Sequence, residues 1–290
     1  MDTSNENRTF TLADGRVLGF AEYGDPPGFP VVLFHGTPGS RLVGRISHPW
    51  ARDIGCHLIC TDRPGYGLSS PHAERTLFDH AEDVRQLCDE LGVGAFAVAG
   101  ISGGAPYVLA CAAALGERIT GGAVMSGFYG LDAPVDSTEL PDAIRENFEQ
   151  LREDPEQARA SYDQVQQMVA MDPAELTTQI LADSPDAVRA LADESLGRDY
   201  ADHMIEGLRP GSDGAVQDIG LAARPWAIDL AGIKPEIGLW HGGKDPVPRS
   251  HVEAVANVLP NGSVVFYDDY GHLDCFYLMP EILERFRKLA

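Results

Sequence analysis

The chain is 290 residues long and 44% hydrophobic, with 22 Lys and Arg against 44 Asp and Glu, a formal net charge of −22 and a pI near 4.6. That apolar content over that length can bury a sizeable core and suits one domain carrying an insertion. The negative charge argues against partners that are themselves anionic, such as a nucleic-acid backbone or an acidic membrane surface.

Met1 to Phe10 lacks the basic start and apolar stretch of a secretory signal, and no run is long enough to span a bilayer, so a cytoplasmic location is expected. Thr9 to Glu22 reads as an antiparallel hairpin turning at Asp14-Gly15. After the break at Gly24 to Gly28, Pro30 to Phe34 is a continuous apolar run, as expected of a strand buried on both faces. It ends in His35-Gly36-Thr37-Pro38-Gly39-Ser40. Cys56 to Thr61 is a second such run, ending in Asp62-Arg63-Pro64-Gly65-Tyr66-Gly67-Leu68-Ser69. Leu77 to Leu91 places Ala81, Val84, Leu87, Cys88 and Leu91 at helical spacing. A strand from Ala95 then runs through Gly100-Ile101-Ser102-Gly103-Gly104 into an apolar helix, predicted from Gly103 to Leu115, and Ile119 to Met125 is the next strand. This alternation predicts an α/β fold with a mostly parallel central sheet flanked by helices.

The rhythm changes after about Gly130. From Ala133 to Arg224 there is no strand-like run, only amphipathic helical segments broken by prolines. Asp132 to Arg224 holds 21 Asp and Glu against seven Arg and no Lys, a net of −14, leaving −8 for the rest. We therefore read residues 1–130 and 231–290 as one core domain and 131–230 as an α-helical cap insertion. Most of its acids are expected to form a solvated surface, and Phe128, Tyr129, Phe148, Tyr162, Met168, Met171, Met204 and Trp226 are candidates for its own packing or for a pocket wall. The α/β rhythm resumes with strand Glu236 to Trp240, helix Ser250 to Leu259, strand Ser263 to Tyr267 and a last helix Pro280 to Leu289. The five cysteines, Cys56, Cys60, Cys88, Cys111 and Cys275, form no C-x-x-C pair and read as buried free thiols. The nine histidines are dispersed, so neither a metal nor a cofactor is expected.

Gly100 to Gly104 matches G-x-S-x-G, the strand–turn–helix elbow that presents a serine nucleophile. The turn is so tight that side chains two residues either side of Ser102 would collide, and glycine removes them. A serine hydroxyl also needs a base, an acid to orient that base, and donors for an oxyanion. His272, after the last strand and next to Gly271, is the favoured base; His241, at a strand end, is expected to be packed, and His251 exposed. Asp245, in the loop after strand Glu236 to Trp240, is the favoured acid, with Asp132 as its rival, whereas Asp268, Asp269 and Asp274 read as surface. The natural oxyanion donors are the backbone N–H groups of Gly103 and Thr37, since Pro38 has none.

The ordered set H-G-T-P-G-S (35–40), D-R-P-G-Y-G-L-S-S (62–70), G-I-S-G-G (100–104), H-G-G-K-D-P-V-P (241–248) and G-H (271–272) resembles the α/β-hydrolase family over almost the whole chain. The resemblance implies a Ser102–His272–Asp245 triad and a bracing role for Asp62 and Arg63. Its forms are similar to single-domain esterases, perhydrolase-like members and proline iminopeptidases. Serine at 102 differs from the carboxylate nucleophile of the dehalogenase and epoxide hydrolase branches. Thr37 and Ser102-Gly103-Gly104 depart from the H-G-G-P-G and G-G-S-W-G-S forms of the iminopeptidases. The expected activity is hydrolysis of an ester or similar acyl bond of a small molecule through an acyl-enzyme. The alternatives are an iminopeptidase-like aminopeptidase, whose substrate ammonium acidic cap residues could bind, and a non-hydrolytic small-ligand receptor.

Overall fold

Successive residues of a strand point to opposite faces of its sheet, and here both faces are apolar. Val31 and Leu33 face one side with Leu58, Ala97, Ala99 and Met125, while Val32 and Phe34 face the other with Ile59, Val98 and Val124. Both sets are fully buried, so the sheet needs helices on both sides. A computed structural model describes residues 5–127, 142–168 and 194–289. Its strands are β1 (Arg8–Thr11), β2 (Val17–Gly24), β3 (Phe29–Phe34), β4 (Cys56–Thr61), β5 (Phe96–Ile101), β6 (Ile119–Met125), β7 (Ile237–Gly242) and β8 (Gly262–Tyr267). They form one eight-stranded sheet in the order β1-β2-β4-β3-β5-β6-β7-β8. The β1–β2 hairpin is antiparallel and joins β4 antiparallel; every later pairing is parallel.

Helices α1 (Gly44–Ile54) and α2 (Leu77–Glu90) follow β3 and β4, and α3 (Ala105–Leu115) follows β5. Thr76 caps α2 through a reciprocal box with Asp79, which satisfies N–H groups that the first turn leaves unpaired. A helix over 44–54 is not among the sequence expectations, because Pro49 lies inside it, although Ile46, Trp50 and Ile54 recur at helical spacing. Packing forms it nonetheless: Gly44 lies so close to Tyr23 and Cys60 that no side chain would fit there, and Ile46 and Ala51 are buried.

Residues 142–222 contribute α4 (Asp142–Glu153), α5 (Arg159–Met168), α6 (Glu194–Gly207) and α7 (Asp213–Ala222), and no strand is found among the described residues between β6 and β7. Many of their acids, among them Asp142, Glu146, Glu149 and Glu153, are exposed as expected. Of the pocket candidates, Phe128, Tyr129 and Met171 lie outside the described residues, as do the side chains of Phe148 and Met168. Met204 is buried, Tyr162 packs against Tyr66, Leu208 and Ala215, and Trp226 packs against the main core. Helices α8 (Arg249–Val258) and α9 (Met279–Lys288) complete the two outer layers. All five cysteines are buried and free. No described helix is long and apolar enough to cross a membrane.

Candidate active site

The loops singled out in the sequence leave the carboxyl ends of β3, β4, β5, β7 and β8, where an open parallel sheet places its site. At the end of β5 the chain turns through a single tight turn, Ser102–Gly104, straight into α3, so the long helix begins two residues later than predicted. Ser102 itself sits at φ +50°, in the left-handed region, a conformation that costs a non-glycine residue about 1–2 kcal/mol. Surrounding packing enforces it. A Cβ on Gly100 would stand 2.7 Å from the carbonyl oxygen of Gly104, and one on Gly104 would stand 2.7 Å from that of Phe34. Neither backbone contact could relax cheaply, so the glycines flanking the serine are a steric requirement of this turn.

Gly103 lies against the other predicted donor. A Cβ there would meet the hydroxyl of Thr37 at 2.3 Å and its backbone nitrogen at 3.2 Å. The loop 35–40 is fastened in turn. The backbone N–H of Arg63 donates to His35 Nε2 at 3.2 Å, so the proton of this ring is on Nδ1, which donates to the carbonyl of Gly36 at 2.7 Å. Burial, and then the charge of Arg63, push the His35 pKa well below its ordinary value, consistent with a neutral ring. Arg63 also donates to the carbonyls of His35 and Gly36 and to Thr37 Oγ1. Asp62 accepts from the backbone and guanidinium of Arg41 and from the N–H of Leu68. Both residues thus brace loops, as the resemblance implies.

His272 and Asp245, 27 residues apart, meet because the loops after β7 and β8 are sewn together. Gly243 N–H donates to the carbonyl of Tyr267 at 2.8 Å, and Lys244 N–H to that of Tyr270 at 2.9 Å. His272 Nδ1 then lies 2.7 Å from Asp245 Oδ2. The Asp245 side chain is fully buried, while that of His272 keeps 31% of its exposure. Burial alone would raise the Asp245 carboxyl, but the hydrogen bond and charge of His272, with His241 and the N–H of Val247, hold it below the usual range. His241 is buried within β7, one residue inside a strand that runs on to Gly242, and its Nε2 donates to the carbonyl of Val247 at 2.8 Å. Two expectations are corrected. His251 is buried in α8, and Asp274 is buried beneath the His272 loop, accepting from the N–H of Gly271 at 2.7 Å. The rival acid Asp132 lies outside the described residues.

A cavity of about 100 Å³ opens beside Ser102, walled by Thr37, Gly103, Pro106 and Tyr107 from the core and by Asp218 and Ile219 from α7. A larger cavity, about 660 Å³, lies on the opposite face of α7 and includes none of the predicted site residues. Sequence reasoning missed Asp218. It is 5% exposed and accepts from Arg63, Arg75, Tyr66 and Tyr107. Burial alone would raise its carboxyl, yet the two arginines hold it far below the usual range. Its signal was present: a single charge within the otherwise uncharged, mostly apolar run V-Q-D-I-G-L-A (216–222).

The whole chain can now be compared with known proteins. A family model described as the alpha/beta hydrolase fold matches residues 30–277. The chain belongs to the alpha/beta hydrolase fold family. A proline iminopeptidase from Xanthomonas citri is 33% identical over 116 residues, 38% of this chain and 36% of that protein. This chain thus spans little more than a third of that relative's length. Among solved structures, epoxide hydrolase A from Mycobacterium thermoresistibile aligns with a TM-score of 0.72 at 22% identity, covering 97% of this chain and 98% of that one. A thermophilic esterase from Thermogutta terrifontis aligns at 0.64 and 22% identity, covering 98% of each. Likeness at that identity shows the fold alone, and the different activities in these names make the same point.

The helical segment also grips the 35–40 loop of this alpha/beta-hydrolase-fold chain through His203 of α6. The ring accepts from Ser40 N–H at 2.9 Å, while Ser40 Oγ donates to the His203 carbonyl at 2.8 Å. Burial pushes His203 down to about 4. A folded-state pKa below the unfolded value of 6.5 means that the unfolded chain binds the extra proton, so this contribution is complete above pH 6.5 and is lost as pH falls towards 4. Urea midpoints measured between pH 7 and 4.5 should therefore fall. His203→Asn should flatten the slope by about one proton, on the order of 3 kcal/mol across the window. An unchanged slope would refute the assignment.

Proposed function

We propose that this protein is a serine hydrolase that cleaves an ester or similar acyl bond of a small molecule. The observation that carries this reading is the bond between His272 Nδ1 and buried Asp245 Oδ2. It fixes the Nδ1–H tautomer and leaves Nε2 free to accept a proton. In this mechanism His272 Nε2 removes the proton of Ser102 as Oγ attacks the carbonyl carbon. The oxyanion forms against the N–H groups of Thr37 and Gly103. His272 then protonates the departing alkoxide, and a water activated by the same nitrogen hydrolyses the acyl-enzyme, regenerating Ser102. Asp245 stabilises the imidazolium at both steps. Residues 131–230 serve as a cap that supplies part of the cavity wall beside Ser102.

An ester is favoured over an N-terminal prolyl substrate by the charge beside Ser102. Binding a free ammonium calls for an available carboxylate. Among the described residues that line the cavity, the one carboxylate is Asp218, already engaged by Arg63 and Arg75. The test compares p-nitrophenyl acetate and butyrate with proline p-nitroanilide. Turnover of the esters with kcat/KM at least about a hundredfold above the prolyl amide, a gap of about 2.7 kcal/mol in activation free energy, is the expected result. Preference for the prolyl amide would replace this reading with the aminopeptidase. Tight ligand binding without turnover of any substrate would replace it with a receptor.

A further inference from the structure

The helical segment is more than a lid over the cavity, because it holds part of the 35–40 loop by direct side-chain and backbone contact. Gly39 packs against both the His203 ring and the backbone of Gly207, so tightly that a Cβ on Gly207 would stand 2.2 Å from the Gly39 carbonyl oxygen. At Thr37 the contact becomes chemical. Thr37 Oγ1 accepts from Arg63 Nη2 at 3.0 Å and donates to Asp218 Oδ2 at 3.2 Å. The same carboxylate oxygen receives Arg63 Nε at 2.7 Å and the Tyr66 hydroxyl at 2.8 Å. The other receives Arg75 and, at 2.7 Å, the Tyr107 hydroxyl.

Asp218 therefore fixes two things at once: the Thr37 side chain and the guanidinium of Arg63. That guanidinium reaches the carbonyl of Gly36 at 2.8 Å, where His35 Nδ1 also donates at 2.7 Å. The Gly36 carbonyl and the Thr37 N–H belong to one peptide group. Two donors on its oxygen, one of them cationic, draw electron density from the amide and make its N–H a stronger donor, the mutual polarisation expected within a hydrogen-bonded chain. Hydrogen bonds from a charged guanidinium are stronger than neutral ones, and the donor here is buried, with Arg63 0% exposed. A purely structural ion cluster would require the arginines to be neutralised, but it would not require the Thr37 hydroxyl to be a member.

We propose that Asp218 of α7 is a positioning residue for catalysis, which through Thr37 Oγ1 and Arg63 holds the Thr37 N–H aimed and polarised for the oxyanion. The inference rests on the proposed reading of that N–H as an oxyanion donor. It makes docking of the helical segment a condition of a competent site rather than of substrate choice alone.

The test uses the full-length protein with Asp218→Asn, Thr37→Val and the double variant. Thr37→Val keeps the backbone N–H and removes only the hydroxyl link. Removal of an oxyanion donor costs about two to three powers of ten in kcat, so misplacing one should cost about ten- to a hundredfold. The ester KM should stay within about twofold, because the donor acts on the transition state. The double variant should be no slower than the slower single variant, since both break one linkage. Labelling of Ser102 by a fluorophosphonate should slow in parallel, and it reads the same donor whatever the natural substrate is. If Asp218→Asn fails to fold, Thr37→Val alone decides. Wild-type kcat in folded Thr37→Val, or losses that multiply in the double variant, would overturn the inference while leaving the hydrolase reading intact. A wild-type protein that neither turns over esters nor labels at Ser102 would overturn that reading and, with it, this inference.

Discussion

Ser102→Ala is expected to lower kcat for ester substrates by at least about ten-thousandfold, to the residual rate that binding and oxyanion donors alone sustain. The substitution removes Oγ and nothing else of consequence for packing. Ser102 is only half-buried, and alanine meets the same left-handed backbone as serine at φ +50°. Thermal stability should therefore change little while turnover disappears. That separation matters, since a loss of both would say only that the elbow is structural. Fluorophosphonate labelling, followed by peptide mapping, provides the matching positive result: the tag should sit on the peptide containing Ser102 and be absent from the variant. Wild-type turnover in Ser102→Ala would remove the acyl-enzyme mechanism altogether.

Asp245→Asn should cost about ten-thousandfold in kcat, as expected when the partner of a catalytic imidazole can no longer hold the right tautomer. An asparagine nitrogen facing His272 Nδ1 would donate rather than accept. That moves the ring proton to Nε2, the nitrogen that must receive the serine proton. The 2.7 Å contact could survive unchanged in length and still be useless. KM should move little, because Asp245 is buried behind the histidine and does not line the cavity beside Ser102. Asp132→Asn, the corresponding change at the rival acid, should leave kcat within about twofold. Equal losses at the two positions would reopen the choice between them.

Much of the sheet was legible because strands buried on both faces leave a simple mark. V-V-L-F, C-H-L-I-C-T and I-T-G-G-A-V-M are short, largely apolar runs followed at once by His35-Gly36, Asp62 and Ser126, and β4 and β6 have the predicted limits. The elbow and its partners were legible for a different reason. Each must stand at a strand end, and each strand end is punctuated by glycine or proline. Helix α1 was hidden by Pro49, whose cost to the helix is offset by packing of a face, Ile46, Trp50 and Ile54, that the sequence did carry at helical spacing. His251 and Asp274 were misread because polarity near a helix start, or in a loop, resembles exposure. The Gly271 N–H that Asp274 satisfies is a backbone group and leaves no trace in composition. Asp218 was submerged in a block of 21 acids, where its uncharged, mostly apolar surroundings alone distinguished it. Charge counted over a segment averages away the one buried member that matters.

The strand order has a consequence for when this protein can first act. Its neighbours β4-β3-β5 bring together loops from the first third of the chain, and by the end of α3 the proposed oxyanion loop, the bracing arginine and the proposed nucleophile have all been made. The proposed acid and base come from the loops after β7 and β8, beyond the long helical segment, and they meet only when those two strands pair in register. During vectorial synthesis, at about 5–20 residues per second, a Ser102 without a base therefore exists for about ten to thirty seconds before His272 emerges. A serine without its base is a weak nucleophile, so the unfinished chain has no means of acylating itself or its neighbours. In the proposed mechanism, the order of residues along the chain thus acts as a safety interlock on the chemistry.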